Sequence, residues 1–169
     1  MARTSYQDVR ALPDPLLSYN FDLIVPIVPG GGDAKGLTIR CKSTSIPGTS
    51  VDDVTVSLHG VDLKYAGRQM WSHTLQATYQ ETRDMLVRFA LKQWIEFARN
   101  TRQNSGEYKA NYATNADLVL YDDAGNPIRT IRLEGFFPQT MDDASLDGAS
   151  STPVEISVTF AYDSAHDVS

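Results

Sequence analysis

The sequence predicts a mainly β fold, an antiparallel β sandwich or barrel with one packed α-helix. Three observations carry this. About seven or eight stretches alternate apolar and polar residues with a period of two, turn residues punctuate them, and one stretch, Thr82 to Asn100, switches to a helical period. The chain has 169 residues, 41% hydrophobic and 21% charged, which suits one domain with a real core and excludes a disordered chain.

Residues 1–16 contain Pro13 and Pro15 and no periodicity, so an extended arm is expected ahead of a single domain over 17–169. Leu17, Tyr19, Phe21 and Leu23 then alternate with Ser18, Asn20 and Asp22, and the run continues to Val28 with Pro26 and Pro29 marking a bend or an edge. Leu37 to Lys42 resumes as a strand, making a hairpin with Gly30 to Gly36 at its tip. After the break at Ser45 to Thr49, Val51 to Leu58 and Val61 to Ala66 form a second hairpin that turns near His59 and Gly60. This hairpin, at about 51–66, has few bulky core residues, so it needs another surface, in its own domain or in a partner.

Thr74 to Gln80 is a strand with one wet face. The helix at about 82–100 has Thr82 as a plausible N-cap and Asp84 in its first turn, with Arg99 and Arg102 at its C-terminal end. Arg88, Lys92, Glu96 and Arg99 make a narrow polar stripe. The rest of the surface, Phe89 and Trp94 included, is apolar, so a well-buried helix is expected. A polar loop at Gln103 to Asn115 follows, then strands at Ala116 to Tyr121 and Pro127 to Pro138 around a turn at Asp122 to Asn126. Beyond the loop from Thr140 to Ser151, Val154 to Tyr162 gives the clearest alternation in the chain.

Charge and motifs remove several function classes. With 15 Lys and Arg against 21 Asp and Glu, a net of −6, the chain is a poor candidate for gripping nucleic acid. No run approaches the ~20 apolar residues of a membrane span, and the N-terminus has no secretory pattern, so folding in a cytoplasm is expected. Cys41 stands alone and is expected as a buried thiol. The glycine run lacks the phosphate-loop spacing, and the aspartate pairs at 52–53, 122–123 and 142–143 sit in or beside turns without the pattern of a calcium loop. His59, His73 and His166 are too scattered for a zinc motif, and there is no Gly-x-Ser-x-Gly. The expectation is a protein with no cofactor, no metal and no catalytic site.

The order of elements carries more than any motif. Asp14-Pro15-Leu16-Leu17-Ser18-Tyr19-Asn20-Phe21 leads into strands; then come Ser45-Ile46-Pro47-Gly48-Thr49, the core-poor hairpin ending Lys64-Tyr65-Ala66-Gly67, the strand Thr74 to Gln80, and the helix with Phe89 and Trp94. This resembles the tail tube proteins of contractile-tailed bacteriophages, a family related to the tubes of phage-derived contractile injection systems. The resemblance implies a non-enzymatic virion protein, assembled in the host bacterial cytoplasm into hexameric rings that stack into a tube. Inner strands of all copies would join in one multi-subunit β-barrel. Implied partners are further copies, the tail sheath protein, the tape measure protein, and baseplate and tail terminator proteins, with double-stranded DNA passing through the lumen unbound.

On that reading Pro47, Gly48, Val51, Asp52, Asp53, Val54, Val56, Leu58, Gly60, Leu63 and Tyr65 are candidates for contacts between subunits or rings. Asp117, Glu134 and Glu155 are candidate lumen carboxylates, and Arg88, Lys92, Glu96 and Arg99 a sheath- or partner-facing stripe. At −6 per copy, six copies carry roughly −36 around a ring, a charge that would keep DNA from sticking. Alternatives are the tube of a contractile injection system or tailocin, a baseplate tube initiator, and a monomeric β-sandwich binding module with Tyr108 and Tyr112 in a groove.

Overall fold

The computed structural model describes residues 5–168. In chain order the elements are α1 (Tyr6–Arg10), β1 (Phe21–Ile24), α2 (Ala34–Arg40), β2 (Cys41–Thr44), β3 (Thr49–Leu58), β4 (Val61–Trp71), β5 (Thr74–Gln80) and α3 (Leu86–Ala98). They continue with β6 (Arg99–Asn100), β7 (Ser105–Gly106), α4 (Lys109–Tyr112), β8 (Thr114–Tyr121), β9 (Pro127–Met141), β10 (Glu155–Ala161) and β11 (Ser164–Val168). The fold is mainly β, and every strand pair is antiparallel.

β9 is the spine. Its first part pairs with β8 and β11, and β1 pairs onto β8; its last part pairs with β10, followed by β5 and β2. The two halves meet near Gly135, whose φ of +67° is open to glycine and costly for other residues. A Cβ there would also lie 2.2 Å from Asp163 Oδ2. The sheet stays open, with β1 at one end of its order and β2 at the other.

The core sits between these strands and α3. Leu75, Tyr79, Ile156, Val158 and Phe160 from the period-two strands meet Val87, Ala90, Leu91 and Trp94 from one helical face, with Leu23, Leu118, Leu133 and Phe136. Phe136 and Phe160 stack with centroids 4.4 Å apart, and the buried Trp94 donates its indole N–H to the carbonyl of Tyr112 at 2.7 Å. Met85, which stands at the N-cap position before α3, gives no side-chain cap. Glu81 supplies one from the preceding strand end, its carboxylate accepting from the N–H groups of Val87 at 3.1 Å and Arg88 at 2.8 Å.

Several expectations need correction. The stretch from Ala34 to Arg40 is a helix, and β1 pairs with β8, so the first expected hairpin does not exist. Asp33, expected in a hairpin tip, caps that helix by accepting from Gly36 N at 3.0 Å; Leu37 enters the core while Ile39, on the other side, is 70% exposed. The arm is not extended throughout. Ser5 and Asp8 form a reciprocal capping box at the start of α1.

Thr82 is not the N-cap; its hydroxyl accepts from Leu86 N at 3.2 Å, and α3 begins only at Leu86. The helix is also less buried than expected, since Leu86, Phe89 and Phe97 face outward at 44, 59 and 36% exposure. The loop after it contains the short strand β7 and the single turn α4. β9 runs on to Met141, and β11 is an additional strand.

Candidate assembly interface

β3 and β4 are ten and eleven residues long and project about 33 Å at ~3.3 Å per residue. They grow out of the β2–β5 ladder, because β3 follows β2 and β4 precedes β5. Ser72 N donates to the Gly48 carbonyl at 3.3 Å at the base, with Pro47 beside it. His59 and Gly60 make the tip with φ of +50° and +82°, the two positive values of a tight hairpin turn. The register slips between Val51 and Asp53, and Gly67 lies so close there that a Cβ would be 2.9 Å from the Asp52 carbonyl oxygen.

Beyond the slip the hairpin has two unlike faces. Val54 pairs with Tyr65, Val56 with Leu63 and Leu58 with Val61, so six apolar side chains form one ladder. All six are exposed, from 38% at Val56 to 58% at Val61, and Val51 lies open beside the base. None of the six belongs to the buried core of the domain. The opposite face carries Asp53, Thr55, Ser57, Asp62 and Lys64. Lys64 bonds Asp53, and Ser57 Oγ donates to Asp62 at 2.5 Å.

A second wet surface lies on the side of β5 and β10 that faces away from the core. Gln76 pairs with Thr159, Thr78 with Ser157 and Gln80 with Glu155, and Thr140 of β9 lies across from Thr159. Its one carboxylate, Glu155, is bonded to Lys42 of β2. The other two proposed lumen carboxylates lie elsewhere. Arg132 grips Asp117 with two hydrogen bonds of 2.8 and 3.1 Å across β8 and β9, and Glu134 accepts from Ser164 Oγ at 3.0 Å with His166 3.8 Å away. The fold therefore disperses Asp117, Glu134 and Glu155 and gives each a cation or donor.

On α3, Arg88, Lys92 and Glu96 form the expected stripe, with Lys92 and Glu96 3.6 Å apart. Arg99 leaves it, because it ends the helix and pairs in β6 with Gly106. The outward ridge of Leu86, Phe89 and Phe97 runs beside the stripe. Sequence reasoning missed this surface, because periodicity marks an apolar arc without saying which part of it meets the core. The arm also exposes the side chains of Tyr6, Val9, Leu12 and Leu16, the last beside an open groove of about 620 Å³ with Leu120 and Ile128.

The strongly shifted ionisable groups inside the fold owe their shifts first to burial. Burial, with the nearby Asp22 charge adding to it, pushes the Cys41 thiol up to about 12, and burial raises Tyr79 well above the usual phenol range. His73 Nδ1 lies 3.1 Å from the Tyr162 carbonyl oxygen, far from the hairpin tip where His59 sits. Among the described residues no group of three His, Cys, Asp or Glu side chains could hold a metal ion. Tyr108 and Tyr112 line one open groove of about 590 Å³ with Phe137, in which Tyr112 packs edge-on against Phe137 while Tyr108 is 83% exposed.

A sequence-family profile described as phage tail tube protein matches residues 19–167. No curated protein matches the chain. Among solved structures, the sheath/tube terminator of the extracellular contractile injection system PVC in its extended state is 20% identical, covering 94% of this chain and 100% of that one at a TM-score of 0.70. A chain of the PVC sheath-tube complex is 19% identical over 99% of both chains at 0.66. The tube-terminating cap of the anti-feeding prophage is 15% identical over 94% of both chains at 0.69. At these identities the likeness is one of fold.

Proposed function

The chain belongs to the phage tail tube protein family, a family of structural proteins, and on that premise we propose that it is the ring-forming subunit of the inner tube of a contractile tail. The observation that carries this is the apolar ladder of Val54, Val56, Leu58, Val61, Leu63 and Tyr65, exposed on a hairpin that its own domain does not cover. Covering the remaining half of each side chain is worth about 1 kcal/mol, so the ladder offers about 6 kcal/mol per contact before the costs of association. A second copy provides that cover, and the contact repeats around a ring and between rings.

The open sheet supports the same reading. β2 and the last part of β9 flank β5 and β10, so strands of adjacent copies can continue one another into a closed barrel with the wet face inward and the core outward. Hexameric rings stack through the hairpin, with Pro47, Gly48, Asp52 and Gly60 shaping its base, slip and tip. The α3 ridge and the Arg88–Lys92–Glu96 stripe then lie outward, where the sheath protein packs. The lumen houses the tape measure protein during assembly and afterwards conducts DNA, while baseplate and terminator proteins close the two ends. The finished protein resides in the virion.

Sedimentation and negative-stain microscopy of the purified chain test the proposal. Rings or tubes support it, whereas a monodisperse monomer at high concentration contradicts it. Deleting 51–66 should leave a folded monomer that no longer grows; normal polymerisation of the truncated chain would show that the hairpin does not make the contact.

A further inference from the structure

In the tube proposed above, the wall of the bore is the wet face of β2, β5, β10 and the end of β9; because β3 follows β2 and β4 precedes β5, the polar face of the hairpin counts with the same wall. These strands hold a small share of the chain's charge excess. Over β2, β3, β4, β5, β10 and residues 138–141 there are four acids, Asp52, Asp53, Asp62 and Glu155, and three bases, Lys42, Lys64 and Arg68, a net of −1. The whole chain carries −6, so −5 lies outside the wall strands. Much of it stands on exposed turn and loop residues such as Asp123, Asp142, Asp143 and Asp147.

Four of these seven wall charges stand in ion pairs. Lys42 bonds Glu155 and Lys64 bonds Asp53, and between them the surface is hydroxyls and amides such as Thr78, Gln76 and Ser157. Opposite charges in contact cancel at a distance, and at physiological salt what remains is screened within about 8 Å. Neutral hydroxyls and amides hold water without a long-range field. The roughly −36 per ring counted from whole chains is therefore not a property of the lumen.

We propose that the bore is close to charge balance, at −1 per copy, that Lys42 and Lys64 hold it there by pairing Glu155 and Asp53, and that the conduit passes cargo without sorting it by the sign of its charge. This rests on the tube reading and on the wet face lining the bore. The specificity of the conduit is then set by width and wetting, and removing either lysine uncovers a carboxylate that turns the wall anionic.

The test has two arms. Tubes of Thr78→Cys are treated with a small maleimide and with an antibody-sized maleimide conjugate. Labelling by the small reagent alone shows that the wet face lines the bore, and labelling by both overturns that assignment irrespective of charge. The second arm loads tubes with equal-sized fluorescent dextrans, one carboxylated and one aminated. Wild-type tubes should admit the two within about twofold of each other at 20 mM and 500 mM salt. Lys42→Gln with Lys64→Gln should favour the aminated dextran by about fivefold or more at low salt, and Glu155→Gln with Asp53→Asn should reverse that preference. Exclusion of the carboxylated dextran by wild-type tubes at low salt, or no shift in whichever double variant assembles, overturns the proposal.

Discussion

Leu63→Asp should abolish polymerisation and leave the monomer folded. Leu63 is 42% exposed and pairs across the ladder with Val56, far from the core residues that hold the sheet to α3. Covering its remaining surface on assembly is worth about 1 kcal/mol, and an aspartate there adds the cost of an unpaired carboxylate in an apolar contact, several kcal/mol. A combined loss of about 3 kcal/mol or more raises the concentration needed for polymer by about 100-fold or more. Pelleting across a concentration series measures that threshold, and circular dichroism of the soluble fraction reports the fold. Thr55→Asp is the matched control, since Thr55 lies on the polar face opposite Lys64 and should shift the threshold by less than about threefold. Equal thresholds for Leu63→Asp and wild type would refute the reasoning, and so would equal losses in the two variants.

Four further outcomes concern the subunit itself. Glu81→Ala removes the carboxylate that caps α3 through Val87 and Arg88, so it should cost about 1–2 kcal/mol and lower the melting temperature by about 3–6 °C. Gly135→Ala meets Asp163 at 2.2 Å and a φ of +67°, so a loss of about 2 kcal/mol or more in a denaturant titration is expected. Tyr79 Oη is buried without a hydrogen-bond partner among the described residues, so Tyr79→Phe should be neutral or stabilise by up to about 1 kcal/mol. Cys41, with its thiol pushed up to about 12, should alkylate about 1,000-fold more slowly at pH 8 than in the unfolded chain. Because the folded state holds that proton longer than the unfolded one, its contribution favours folding least at high pH. Stability should fall by about 1.4 kcal/mol per unit above the unfolded thiol's value, a slope that Cys41→Ser removes.

The parts of the fold legible in the sequence are those where one period runs uninterrupted. Leu75, Ala77 and Tyr79 alternate with polar residues and form β5 as expected, and the residues at His59 and Gly60 place the hairpin turn. α2 was hidden because Thr38 and Ile39 are β-branched and Leu37 and Ile39 mimic alternation, while the cap at Asp33 decides for a helix. β11, Ser-Ala-His-Asp-Val, carries no run of large apolar residues; it forms because β9 offers it an unpaired edge. The two unlike faces of the hairpin could be read from Val51 to Ala66, since alternation marks them. The charge pairing could not, because Lys42 and Glu155 are 113 residues apart in the chain and meet only through the β2–β5–β10 ladder.

A cryo-EM reconstruction of the polymer formed by the purified chain tests the central claim most directly. Its decisive reading is the position of Val54, Val56, Leu58, Val61, Leu63 and Tyr65 relative to the neighbouring copy. The account predicts stacked rings in which a second copy covers this ladder while Thr78 and Ser157 line the bore. A polymer with the ladder still facing solvent, or with β5 and β10 turned outward, would contradict it.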